Sequence, residues 1–174
     1  MIAVTTLLGL DRALARFKPR FLVSLLDPGS MIDASDQILP GEHLRLECYD
    51  TLVASSNRGF PNQAIVEKLL EFGVRWSGHD RLLTHCIAAQ SRSPAAAVIL
   101  LAQKNPGQEE RIARLVARKL PQARPNPRLI EVGDRLLGLG GRLISAVKAM
   151  PEPSLRDFEN RYASVPVFLG GEEQ

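Results

Sequence analysis

Cys86 and Arg92, separated by five residues, are the pair in this sequence with the most specific chemical potential. They lie in Leu82-Leu83-Thr84-His85-Cys86-Ile87-Ala88-Ala89-Gln90-Ser91-Arg92-Ser93-Pro94, which reads as an apolar strand, a short loop and the start of an alanine-rich helix. A loop of this length can curl so that successive backbone N–H groups point inward as an anion nest, and the helix N-terminus adds partial positive charge. One phosphate fits such a cradle. The field that holds a dianion also stabilises a thiolate, which makes Cys86 a nucleophile. The planar fork of Arg92 suits bidentate contact with two phosphate oxygens as charge spreads over them during phosphoryl transfer, and lysine lacks that fork.

Elements able to position the loop lie on either side of it. Short runs rich in β-formers at Ile2–Thr5, Phe21–Leu26, Leu44–Tyr49 and Arg81–His85 predict strands, each bounded by breakers such as Pro19, Pro28 and Gly41. Between them, Leu10, Ala13, Leu14 and Phe17 share one helical face, as do Ile65, Leu69, Phe72 and Trp76. Helical patterns then fill Ser93–Gln103, Gln108–Leu120 and Asn126 or Pro127 to about Met150. The last of these is expected to run through Gly138-Leu139-Gly140-Gly141, with the glycines serving close helix packing. Strands alternating with helices, then helices alone, predict an α/β fold: a central, mostly parallel β-sheet flanked by helices, with a helical C-terminal half. The 174 residues are expected to form a single domain, with a core over about 1–150 and an extended tail over 151–174. Gly29–Pro40 and Thr51–Pro61 read as loops.

Composition narrows the class. Hydrophobic residues at 45% and charged residues at 24% are the balance of a globular chain able to bury a core, and they exclude a disordered one. The net charge of +3 is unevenly spread, with nine basic residues from Arg111 to Lys148 against Glu131 and Asp134. A solvated helix face accounts for this excess, so nucleic acid is not an expected partner. Two cysteines, Cys48 and Cys86, provide neither a disulfide framework nor the spacing of a zinc site. No basic leader precedes the first apolar stretch, and the longest wholly apolar run, Ala95–Ala102, is too short to span a bilayer. These features predict a cytoplasmic protein with no membrane partner.

The order His85-Cys86, five residues, Arg92-Ser93 resembles the signature of the cysteine-dependent protein tyrosine phosphatase superfamily, and in length the chain is similar to its compact dual-specificity-like branch of bacterial type. The resemblance covers residues 1–150. It implies hydrolysis of a phosphomonoester through a phosphocysteine intermediate on Cys86, with Ile87, Ala88, Ala89, Gln90, Ser91 and Arg92 as the phosphate-binding loop and with neither metal nor cofactor. It implies that Ser93 hydrogen-bonds the sulfur and helps it leave, and that His85 tunes the thiolate from behind. Read as residues alone, Ser93 is also a sensible N-cap before Pro94, and His85 a buried core histidine. The general acid of the superfamily precedes the cysteine by a few tens of residues, just after a strand. Asp50 fits that place, with Cys48-Tyr49-Asp50 standing where other members have Trp-Pro-Asp. Asp80 is a rival at the far end of a strand, and Asp27 and Asp33 rank lower.

Two departures carry expectations of their own. The family's loop has glycine three positions after the cysteine, where this chain has Ala89; a positive φ there would cost alanine roughly 1–2 kcal/mol. The loop also lacks lysine, which favours phosphotyrosine or another singly phosphorylated group. The expected partners are therefore a phosphorylated protein or a small phosphomonoester, with phosphate or sulfate able to sit in the loop. The alternatives are a pseudophosphatase that binds phosphate with little turnover, and a phosphatase for a non-protein ester. Cys48 reads as a small buried apolar residue, with a protective disulfide to Cys86 as the alternative.

Overall fold

The computed structural model describes residues 1–33, 38–53, 59–159 and 167–169. Strands β1 (Ile2–Thr6), β2 (Phe21–Leu26) and β4 (Leu82–Cys86) are buried along their whole length, while β3 (His43–Glu47) is partly exposed. That contrast follows from position: with β5 (Val167–Leu169) the sheet order is β3-β2-β4-β1-β5, so β3 lies at an edge. Strands covered on both faces read as continuous apolar runs, which is why β1, β2 and β4 stand out in the sequence. β1 to β4 are mutually parallel, and β5 (Val167–Leu169) pairs antiparallel with β1. The segment after Pro151, expected to lie extended, thus carries a short helix, α7 (Leu155–Glu159), and this edge strand.

On one face, α1 (Leu10–Phe17) buries Leu10, Ala13, Leu14 and Phe17 against Ala3, Leu22 and Leu83. The larger core lies on the other face, under α2 (Gln63–Arg75), α3 (Arg92–Lys104), α4 (Glu109–Lys119), α5 (Pro127–Leu136) and α6 (Arg142–Lys148). α3 is buried from Arg92 through Ala102, as a helix apolar on every side must be. It presents its N-terminus beside the end of β4.

The sequence pattern predicts one helix from residue 126 or 127 to about 150, and the structure breaks it. Gly138, Gly140 and Gly141 have φ of 66°, 60° and 89°, left-handed values that end α5 and restart the chain as α6. The reason is Asp134. Its buried carboxylate accepts from the backbone N–H of Gly141 at 2.7 Å, Leu143 at 2.8 Å and Ile144 at 3.4 Å, satisfying amides that a new helix start leaves free. Among the described residues, no helix is long and apolar enough to cross a membrane.

Candidate active site

In a parallel sheet covered by helices, the C-terminal strand ends face a common crevice. Here those ends bring together Asp27 after β2, Tyr49 to Thr51 after β3, and Cys86 at the end of β4. With Phe60 and residues of the 87–92 loop they form a cleft of about 630 Å³.

The loop is held from outside by its carbonyls. Ile87 accepts from the Leu7 N–H at 3.2 Å, Gln90 from Arg124 at 2.7 Å and Ser91 from Asn126 at 3.1 Å. The backbone N–H groups of residues 88–92 donate to no carbonyl of the described residues, which leaves them for an anion. Ile87 is exposed, Ala88, Gln90 and Ser91 are partly buried, and Ala89 is buried. Ala89 has φ 53°, so the position does require left-handed backbone.

Cys86 is 2% exposed, and its Sγ accepts from the Ser93 hydroxyl at 3.1 Å. Ser93 is therefore not the N-cap of α3, which begins at Arg92. Arg92, 3% exposed, donates through Nη1 to Asp27 Oδ1 at 2.6 Å and to the Cys48 carbonyl, while its buried Nε has no hydrogen-bond partner. A buried guanidinium N–H without an acceptor is costly to leave so, and it fits a site that takes an oxyanion.

Asp50 lies in the cleft. Its Oδ1 accepts from Ser91 Oγ at 2.6 Å and from Asn126 Nδ2 at 3.0 Å. Asn126 is fully buried and also caps α5, its Oδ1 accepting from the N–H groups of Arg128 and Leu129. The segment Thr51–Pro61, expected to form a loop, lies outside the described residues from 54 to 58. Tyr49 and Phe60 meet edge to face at 5.8 Å on the rim of the cleft.

The remaining candidates separate cleanly. Asp80 stands before β4, away from the crevice, where it accepts from Ser77 Oγ at 2.9 Å and pairs with Arg20 at 3.4 Å. Asp33 pairs with Arg45 at 2.9 Å on the surface. Cys48 and Cys86 are both free thiols. Burial pushes the Cys48 thiol up to about 12, only partly opposed by Arg92. His85 is buried and hydrogen-bonded to Ser24, and burial lowers it to about 4.

No protein-family profile matches the chain, and no curated protein matches its sequence. Solved structures do. That of DUSP15 is 17% identical, with 94% of each chain covered and a TM-score of 0.60. PTPMT1 in complex with PI(5)P is 17% identical, covering 86% of this chain and 95% of that one at 0.58. A mouse putative dual specificity phosphatase complexed with zinc tungstate is 15% identical, covering 84% and 86% at 0.58. The fold is that of the cysteine-dependent protein tyrosine phosphatases. On this phosphatase fold, the mostly parallel sheet and flanking helices expected from the sequence are those observed.

From sequence alone Asp27 ranks low and Asn126 does not stand out. A signal for Asp27 exists, because it follows a strand as Asp50 and Cys86 do, and parallel strands end together. Asn126 carries only a capping signal, Asn before Pro; its reach to Asp50 depends on tertiary packing.

Proposed function

We propose that the chain is a phosphomonoesterase of the protein tyrosine or dual-specificity type, working through a phosphocysteine intermediate. The observation that carries this reading is the 3.1 Å hydrogen bond from Ser93 to Cys86 Sγ, made inside a loop whose amides are free and whose end is Arg92. The Cys86 thiolate attacks phosphorus and the ester P–O bond breaks. Asp50 gives its proton to the leaving oxygen. A water then loses a proton to Asp50 and attacks the phosphocysteine, releasing inorganic phosphate and the thiolate, which the Ser93 hydroxyl stabilises. Arg92 and the loop amides of residues 87–92 bind the equatorial oxygens as their charge grows. His85 supports the thiolate from beneath. The aromatic rim of Tyr49 and Phe60 favours an aryl phosphate, hence phosphotyrosine or a small aromatic ester.

A second reading is a phosphate-binding protein with little turnover. Asp27 favours it, because its carboxylate already engages the Arg92 that the phosphate needs. Burst and steady-state kinetics on p-nitrophenyl phosphate decide between the two. The enzyme reading expects a burst in the wild type, none in Cys86→Ser, and loss of the alkaline limb of the pH–rate profile in Asp50→Asn. Tungstate binding by a wild type no more active than Cys86→Ser would establish the second reading instead.

A further inference from the structure

Cys86 and His85 leave β4 on opposite faces of the sheet, as neighbours on a strand do. On the His85 side lies a hydrogen-bond chain whose other members the proposed reaction does not use. His85 Nε2 is 2.6 Å from Ser24 Oγ, and the same hydroxyl is 2.7 Å from His43 Nε2. His43 Nδ1 in turn lies 3.3 Å from Arg45 Nε. The register explains the row: Ser24 of β2 pairs with His85 of β4 on one side and with Arg45 of β3 on the other. His43, two residues before Arg45, shares its face. Four side chains thus run across three adjacent strands, from the sheet edge to the residue before the nucleophile. Ser24 and His85 are fully buried, His43 is half-buried, and Asp33 pairs with Arg45 at the outer end.

Donor and acceptor counting gives this chain one direction. A guanidinium has no lone pair to offer, so Arg45 Nε–H donates and His43 Nδ1 accepts. Neutral His43 must then carry its proton on Nε2, which donates to Ser24 Oγ. The single hydroxyl proton of Ser24 is left for His85 Nε2. Reversing the order would require His43 to have no proton on either nitrogen. Neutral His85 therefore holds its own proton on Nδ1, the nitrogen without a hydrogen-bond partner of ordinary geometry. The Cys86 backbone beside the ring favours its protonated form, opposing burial. Burial holds both rings neutral, at about 4.

We infer that Arg45, His43 and Ser24 are positioning residues that fix His85 as the Nδ1-protonated tautomer, presenting an N–H rather than a lone pair to the backbone of the nucleophile. A donor there places positive partial charge near the thiolate, and a lone pair would place negative charge. The tautomer follows from the chain alone, and its effect on Cys86 rests on the reading of Cys86 as a thiolate nucleophile.

The test uses the full chain with ¹⁵N-labelled histidine and a long-range ¹H–¹⁵N spectrum, which reads the tautomer of each of the three histidines without substrate. Expected are Nδ1–H for His85 and Nε2–H for His43. Ser24→Ala and His43→Leu should both release His85 to a mixture of tautomers, whereas His43→Gln, whose amide can replace the donor, should restore Nδ1–H. Alkylation of Cys86 by iodoacetamide near pH 6, followed on the Cys86 peptide, should slow about threefold in the first two variants and recover in the third, the size of one weak charge–dipole contact. A wild-type His85 protonated on Nε2, or alkylation rates indifferent to all three substitutions, overturns the inference. Failure of wild-type turnover with these spectra intact would remove the phosphatase reading and leave the tautomer assignment standing.

Discussion

Ala89 is the residue whose replacement tests the geometry of the loop most directly. It is one of two non-glycine residues with left-handed backbone among those described, at φ 53°, and it is 3% exposed. Replacing it with glycine removes a strain of roughly 1–2 kcal/mol. Against that stand the loss of a buried methyl, about 0.8 kcal/mol, and the extra freedom of glycine in the unfolded chain, about 0.4–1 kcal/mol. The opposing terms cancel to within about 1 kcal/mol, so Ala89→Gly should move the melting midpoint by no more than about 4 °C in a chain of this size. Ala89→Val keeps the strain, adds a β-branch and forces two methyl groups into a packed site, for a loss of more than about 2 kcal/mol. Thermal and urea unfolding of the two variants, read beside turnover of an aryl phosphate, makes the comparison. Ala89→Gly should leave kcat/KM within a few-fold of wild type, because the backbone it needs is already there. A glycine variant less stable by more than about 2 kcal/mol, or a valine variant indistinguishable from wild type, would refute the reasoning.

Asp134→Ala removes the acceptor for three amides at the start of α6 and should lower stability by about 2–3 kcal/mol, read from the urea midpoint. Asp27→Asn takes a negative charge away from Arg92 and should tighten tungstate binding roughly three- to tenfold by calorimetry; weaker binding would instead assign Asp27 to orienting the guanidinium. Cys48, with its thiol pushed up to about 12, should resist iodoacetamide in the native protein at neutral pH and react only after unfolding, as peptide mapping would show. His43 and His85 are depressed to about 4 from 6.5, so the unfolded chain binds more protons between those values. Their contribution to stability is complete above about pH 6.5 and is lost as pH falls toward 4; urea midpoints at pH 7 and pH 5 should differ more in wild type than in a His43→Gln variant.

What the sequence discloses is whatever depends on neighbours along the chain. β1, β2 and β4 announce themselves because burial on both faces leaves them uniformly apolar, and the loop from Cys86 to Arg92 is a local motif between a strand and a helix. Asp50 is legible as a carboxylate just past a strand. β3 is shorter than its apolar run suggests, because Cys48 still bonds Leu26 at 2.8 Å but Tyr49 turns to meet the Gly59 carbonyl. The break between α5 and α6 is hidden, since the apolar pattern of Leu136, Leu143, Ile144 and Val147 continues through it. Only the buried carboxylate of Asp134 makes the second start favourable. Asn126, Ser24 and His43 escape for a similar reason: each is an ordinary polar residue whose importance comes from strands and helices far off in sequence.

The pairing of β5 with β1 has a bearing on how this protein can be handled. β1 is an apolar strand, Ile-Ala-Val-Thr-Thr, buried along its length, and among the described residues only the three of β5 stand between it and the end of the sheet. A chain shortened before Val167 would expose a flat row of unpaired N–H and C=O groups on a hydrophobic strand, the template on which a second molecule adds edge to edge. Trimming the C-terminal segment for crystallisation would thus favour self-association. Scattering or sizing experiments would register that as growing assemblies, well before any loss of helix signal.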